Sequence, residues 1–412
     1  MRIFKADLSG LVCSIVLFAF LVSNVYLSPV DKIGLPISSV WPVFVLLLIF
    51  IAGTVDKFAA DRLFLLGSAS VFLVLFPATI SAVYSSAPEI SIKRVISLAL
   101  SLLLFLTCSC IFNADFAIKI FAKLAFLLGA ILSVFGVIIF LFPTQIEYGG
   151  KIHEYRFYMF SQFVHVDGQL PRISSLIENP NGLAATLAVS MLSGIYLFKE
   201  RLFSRVFIFS VFCILIIGFV FTFSRGSFLA LVLPVALMVG RKNIIRLSLI
   251  FVPLLAVSSV LIFALLGDFL DPIVYRFSKG LHGRDEMWGI AFEALRASPF
   301  LGVGYGVSQE VLLDPVGISL SMHSSYITLL AEVGLIGVPL FSVFLIVTIA
   351  KIVSLREVDS SKIYIGGIVL FFMVASLVET MIFRYQNYGI LWFGLAGLLW
   401  TKPRVGLVGR LI

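Results

Sequence analysis

Three short strings, far apart in the chain, hold the residues best suited to polar chemistry: Ser224-Arg225-Gly226-Ser227, Gly283-Arg284-Asp285 and His323-Ser324-Ser325-Tyr326. A guanidinium stays charged at any physiological pH and offers a planar fork of donors that matches paired phosphate oxygens. An imidazole titrates near neutrality and can take a proton from a hydroxyl. Two arginines and a histidine gathered on one face would therefore suit a pyrophosphate carried on a lipid. Whether they can gather depends on the elements that carry them.

The 412 residues are 60% hydrophobic and 13% charged. An ordinary soluble domain is about half apolar and about a quarter charged, so this chain lacks the polar surface to be one. Runs of mostly apolar residues recur along its length, each long enough to cross a ~30 Å hydrocarbon core. In lipid every backbone polar group must be satisfied within the segment, so such runs are helices. Twelve are expected, at 9–27, 37–55, 63–85, 94–112, 119–142, 181–198, 206–223, 226–240, 247–267, 323–350, 363–382 and 389–401. The sequence thus predicts an all-α integral membrane protein of about twelve transmembrane helices, one polytopic domain over 1–412. The run at 226–240 is short and implies tilt, partial burial or extension into its flanks. The first run follows Arg2 and Lys5 as a signal peptide would, but eleven apolar segments behind it favour an uncleaved helix.

Lysine and arginine in the loops set the orientation. With the N-terminus inside, eighteen of the 30 basic residues lie in inside stretches and five in short outside turns. The rest fall in two long outside loops, 143–180 and 268–322. Both termini are therefore expected in the cytoplasm, and the formal charge of +8 reflects anchoring beside anionic lipid. No basic domain stands outside the membrane, which argues against nucleic acid. The cysteines (Cys13, Cys108, Cys110, Cys213) all fall in expected helices, with neither a disulfide framework nor metal-ligand spacing.

In this orientation all three strings fall on the outer face. The loop 143–180 is aromatic (Tyr148, Tyr155, Phe157, Tyr158, Phe160, Phe163), which suits either stacking on sugar rings or an interfacial belt, the belt being favoured. It closes on Arg172 and Glu178-Asn179-Pro180-Asn181, a turn with Asn181 as the expected cap of the next helix. In 268–322, Trp288, Ala291, Phe292 and Leu295 recur at helical spacing and predict a short amphipathic surface helix. With Asp285 as its N-cap, Arg284 would stand just before the helix N-terminus, a natural phosphate site. Pro299 should end it, and Gly302, Gly304 and Gly306 imply tightly bent backbone.

Each candidate has a plainer reading beside it. Arg225 is either functional or a snorkelling anchor; Arg284 alone reads equally as a solvated loop charge. His323 is a candidate base or a hydrated residue at a helix start, and His153, His165 and His282 are less well placed. Glu332 lies nine residues past His323, half a turn around the helix, so a structural partner is expected for it. Glu379, near the outer end of its helix with Arg384 just beyond, is placed to pair with an active-site arginine.

Taken together, Phe221-Thr-Phe-Ser-Arg-Gly-Ser, Gly283-Arg284 with Trp288 and Pro-Phe-Leu-Gly-Val-Gly-Tyr-Gly, and His323-Ser-Ser-Tyr-Ile-Thr-Leu-Leu-Ala-Glu-Val-Gly-Leu-Ile-Gly resemble the O-antigen ligase and polymerase superfamily. The Arg172 to Asn181 segment fits the same pattern. The motifs cover roughly 172–340, and the first five helices match in hydropathy alone. The resemblance implies a glycosyltransferase on the periplasmic side of a Gram-negative inner membrane. Its donor would be an undecaprenyl-pyrophosphate-linked glycan and, in the ligases, its acceptor a sugar hydroxyl on the lipid A–core. No metal and no cofactor is implied. Carried over by motif, Arg225, Arg284 and His323 are the catalytic residues, with Arg172, Asn181, Tyr326 and Glu379 expected to bind substrate. The polymerase branch, which joins one lipid-linked repeat to another, shares the donor chemistry; the clean motif set and compact second loop favour the ligase. A transporter of lipid-linked sugars is the alternative of another class, disfavoured because the polar residues cluster at one face rather than at mid-membrane.

Overall fold

The computed structural model describes residues 2–23, 25–28, 33–34, 62–110, 113–142, 144–148, 152–158, 160–167, 170–240, 284–312, 322–355, 359–383 and 387–401. Its helices are α1 (Arg2–Val22), α2 (Arg62–Val83), α3 (Pro88–Ser109), α4 (Ala114–Leu141), α5 (Pro180–Lys199), α6 (Arg205–Phe221), α7 (Arg225–Val239), α8 (Arg284–Ala297), α9 (Ser308–Val311), α10 (Ser325–Val353), α11 (Ser360–Ala375) and α12 (Asn387–Leu398). Ten of the twelve apolar runs read from the sequence coincide with these helices. The runs at 37–55 and 247–267 lie outside the described residues, as do Arg384, His282 and all of 268–283. Among the described residues four helices, α3, α4, α5 and α10, are long and apolar enough to cross a membrane, and several shorter apolar helices pack with them.

The helices form one bundle. α12 lies against α1, α3 and α11; α4 packs on α1, α5 and α6; α7 packs on α11 and α5; α2 bridges α3 and α10. Small residues set the spacing, as expected where lipid gives helices no hydrophobic reason to associate. A Cβ added to Gly129 of α4 would come 2.3 Å from Ser190 Oγ of α5, and one added to Gly397 would meet the Phe105 carbonyl of α3 at 2.3 Å. Polar ties add to this: Ser190 Oγ donates to the Ala125 carbonyl (2.7 Å), and Tyr364 and Tyr196 stack at 4.7 Å with their hydroxyls on Ser193 and Ser361.

The all-α expectation needs one correction. Within 143–180 the chain forms an antiparallel sheet, β3 (Thr144–Tyr148), β4 (Ile152–Phe157), β5 (Phe160–Asp167) and β6 (Leu170–Ile173), in sequence order; β1 (Tyr26–Ser28) and β2 (Ile33–Gly34) make a small hairpin elsewhere. The signal was present in the sequence. Asp167-Gly168 and Tyr148-Gly149-Gly150 separate runs rich in β-branched and aromatic residues, which is a hairpin pattern. One face of the sheet is buried on α4. Gln162, fully buried, donates to the Gly136 carbonyl (2.9 Å) and accepts from the Ser175 amide (2.9 Å), while Ser175 Oγ donates to the Leu132 carbonyl (2.6 Å). Phe160 packs on Phe135 at 4.6 Å and Tyr155 stacks on Phe140 at 6.0 Å. These aromatics are used in attaching the sheet to the bundle, whereas Tyr158, at the β4–β5 turn, is 90% exposed.

The break in α10 positions the second loop. Gly334 has φ 62°, and the carbonyls thereby displaced from the helix ladder find the segment after α8. Val303 and Gly304 amides donate to the Ala331 and Glu332 carbonyls (2.9 and 3.1 Å), and the Leu335 amide donates to the Pro299 carbonyl (2.8 Å). The glycines read as bend points have φ of 69° (Gly302), 121° (Gly304) and 77° (Gly306). The segment thus lies in the notch of α10 and holds α8 beside it. Helix α8 exists as expected, but it already includes Arg284, so Asp285 lies within it rather than at its cap. Its buried side centres on Ala291 with Met287, Ile290 and Ala294, and Phe292 is turned outward at 45% exposure. Docking onto α10 and Met322 selects that side.

Candidate active site

The end of α11 creates the centre of the site. After Ala375 the chain leaves the helix, and Ser325 at the start of α10 holds the departing segment. Its amide donates to the Ser376 and Glu379 carbonyls (2.9 and 3.2 Å), and its hydroxyl accepts from the Met381 and Ile382 amides (2.8 and 3.2 Å). Tyr305 donates to the Phe383 carbonyl at 2.6 Å and fixes the far side of the turn. Glu379 is thereby held with its side chain 11% exposed.

Four side chains then converge. Arg284 Nη2 stands 3.0 Å from Glu379 Oε1, and His323 Nδ1 is 3.4 Å from Glu379 Oε2. Asn181 Nδ2 donates to Oε1 at 2.6 Å, and its Oδ1 accepts from Arg172 Nη2 at 2.7 Å. Arg172 Nε reaches the Thr222 carbonyl at 2.8 Å, three residues before Arg225. Arg225 opens α7 next to Gly226, whose Cα faces Val378: an added Cβ would be 2.5 Å from Val378 Cγ2. Arg225 therefore stands beside the segment that carries Glu379.

Helix geometry strengthens the positive character of this spot. Arg225 is the first residue of α7, Asn181 the second of α5, and His323 immediately precedes the cap of α10. Three helix N-termini, those of α5, α7 and α10, thus meet around Glu379, each carrying the partial positive charge of its unpaired N–H groups. Ser324 caps α10 through Ile327 N, and Asn179 caps α5 through Asn181 N. Asn181 is therefore not the cap expected from the sequence; with Asn179 in that role its amide is released for Arg172 and Glu379. Ser224, the residue before α7, makes no side-chain cap bond, its hydroxyl going instead to Ser227 (3.0 Å).

Of the seven candidates, Arg172, Asn181, Arg284, His323 and Glu379 are joined by hydrogen bonds or ion contacts, and Arg225 lies at their margin. Tyr326 is placed otherwise: its hydroxyl donates to the Met373 carbonyl (2.8 Å), tying α10 to α11. Glu332 faces away from His323 and accepts from Ser308 N and Oγ (3.2 and 2.7 Å), the structural partnership its helical phase implied. His165 pairs across the sheet with Arg172. Burial, then the charge of Arg172, pushes its pKa below the ordinary value, and its Nε2 is buried without a hydrogen-bond partner. Among the described residues no group of three His, Cys, Asp or Glu side chains could hold a metal ion. Sequence reasoning did not single out Ser325 or the Thr222 carbonyl as organisers of the site: Ser325 acts on backbone groups more than fifty residues away, and a carbonyl leaves no mark on residue type.

Residues 209–342 match the protein-family model described as O-antigen ligase. The match supports the resemblance to the O-antigen ligase superfamily over this stretch. The O-antigen ligase match takes in Arg225, Arg284 and His323. Arg172, Asn181 and Glu379 stand outside it, so the network joins residues of the O-antigen ligase region to α5, to the sheet and to the end of α11. No curated protein matches the chain.

Proposed function

We propose that this protein is an O-antigen ligase, a metal-independent inverting glycosyltransferase. It moves a glycan from undecaprenyl pyrophosphate to a sugar hydroxyl of the lipid A–core at the periplasmic face of a Gram-negative inner membrane, with both termini in the cytoplasm. One observation carries the reading: Arg284 and His323, from separate parts of the O-antigen ligase region, meet on the Glu379 carboxylate.

In this reading Arg225 and Arg284 bind the pyrophosphate through charge-assisted hydrogen bonds that strengthen as negative charge develops on the leaving group. Helix N-termini add to the same field. His323 accepts the proton of the acceptor hydroxyl as that oxygen attacks the anomeric carbon. The new glycosidic bond forms while the bond from the anomeric carbon to phosphate oxygen breaks, and undecaprenyl pyrophosphate departs. Direct displacement on an α-linked donor inverts the configuration. With guanidiniums neutralising the phosphates, the step calls for no divalent cation.

A lipopolysaccharide gel from a strain lacking the gene, complemented with the native or the Arg225→Ala chain, tests the assignment. Bare core lipid with long polymer retained on the lipid carrier supports the ligase. Core lipid capped by a single repeat would assign a polymerase instead, and an unchanged ladder would turn attention to transport of lipid-linked sugars or to another glycan.

A further inference from the structure

We infer that Glu379 is a positioning residue that sets the tautomer of His323 and fixes that base relative to Arg284; the inference rests on the transferase reading above. The carboxylate is bidentate in use. Oε2 faces His323 Nδ1 at 3.4 Å, while Oε1 takes Arg284 at 3.0 Å and Asn181 at 2.6 Å. A carboxylate accepts and does not donate, so His323 must carry its proton on Nδ1 to bond with it. That leaves Nε2 as the lone-pair nitrogen, able to take the acceptor hydroxyl's proton, and the resulting imidazolium lies against a negative charge. The other oxygen holds the guanidinium assigned to the leaving group. One carboxylate thus fixes the two groups that must act at opposite ends of the displacement.

Asn181 makes the arrangement directional. Its Oδ1 is held by Arg172 and its Nδ2 by Glu379, so the amide orientation is set from both sides and its donor points at the carboxylate. An aspartate here would set two carboxylates against each other. The path from the sheet to the base is Arg172, Asn181, Glu379, His323, and Glu379 itself need not touch substrate.

The test is steady-state transfer by the purified full chain with a polyprenyl-pyrophosphate-linked glycan and a lipid acceptor, comparing the native chain with Glu379→Gln, Glu379→Asp and Asn181→Asp. The amide of Glu379→Gln can donate to Nδ1 and stabilise the wrong tautomer. Such a change costs on the order of 10⁴-fold in a triad; for the longer contact here kcat should fall about 100- to 1,000-fold, with the donor KM within about threefold. Glu379→Asp should recover part of that loss, and Asn181→Asp should lower kcat while the protein stays folded by size-exclusion profile. A Glu379→Gln enzyme that keeps its kcat, or one that changes only the donor KM, would overturn the positioning role. If the native chain forms product and His323→Ala does not, failure of the Glu379 series leaves the transferase reading standing. If the native chain forms none, it is that reading which falls.

Discussion

His323 meets Glu379 across 3.4 Å from a backbone in the left-handed region, φ 44°, just ahead of the capping residue of α10. Phe223 occupies the same position before the N-terminal residue pair of α7, with φ 46°. A left-handed backbone costs a residue bearing a Cβ roughly 1–2 kcal/mol. Such conformations persist only where the surroundings enforce them, and they concentrate at functional sites. At His323 the unusual backbone is what turns the imidazole to the carboxylate as the chain enters the helix.

Replacing His323 by glycine separates strain from chemistry. Glycine accepts this φ without penalty, so His323→Gly should unfold within about 1 kcal/mol of the native chain or slightly above it, while transfer falls by about 10²- to 10⁴-fold. Thermal unfolding in detergent and a transfer assay on the same preparation report both. Near-normal turnover would remove His323 from the role of base.

Arg172 uses two different nitrogens on two partners, Thr222 and Asn181. A lysine keeps the charge but presents it as a point and cannot span both. Arg172→Lys should therefore lower transfer by roughly tenfold or more, about 1.4 kcal/mol, with little change in expression. Activity equal to the native enzyme would mean that charge alone matters at this position.

Glu332 offers the contrasting case. Its carboxylate oxygen is engaged by Ser308, and glutamine retains an acceptor there. Glu332→Gln should leave turnover within about twofold, whereas Glu332→Ala should cost about 1–3 kcal/mol of stability by stranding the Ser308 amide. Loss of transfer in the glutamine variant without loss of stability would show that Glu332 belongs to the chemistry.

The notch in α10 makes a prediction about stability alone. A Cβ at Gly334 would lie 2.5 Å from the Phe300 carbonyl carbon, on a backbone of φ 62°. Gly334→Ala should lower stability by at least about 1–3 kcal/mol, because strain and clash act together. Gly289, inside α8 with nothing within 4 Å of an added Cβ, is the control: Gly289→Ala should stabilise by about 0.5–1 kcal/mol through helix propensity. Equal midpoints for the two would contradict the account of the α10 break.

Much of this was legible in the sequence. Apolar runs gave ten helices because a segment in lipid has no other way to satisfy its backbone; Arg225, His323 and Glu379 stood out as charged or titratable groups at the ends of such runs, and Arg284 at the start of an expected surface helix. The sheet was missed because apolar length dominated the reading, although Asp167-Gly168 marked a hairpin. Asn181 was assigned to the cap because Asn179 and Asn181 are equally good capping types, and the choice between them depends on Arg172, nine residues earlier. That Glu379 is the common partner of His323 and Arg284 was beyond reach: it depends on the fold of the turn after α11, set by the Ser325 hydroxyl and the backbone of Met381 and Ile382.

The most direct measurement is transfer by the purified chain in liposomes, with a polyprenyl-pyrophosphate-linked glycan, lipid A–core acceptor, a chelator, and neither nucleotide nor ion gradient. The account predicts a glycosylated acceptor from the native chain and at least about a 100-fold lower rate from Arg284→Ala. No product from the native chain, or an undiminished rate from the Arg284→Ala chain, would contradict it.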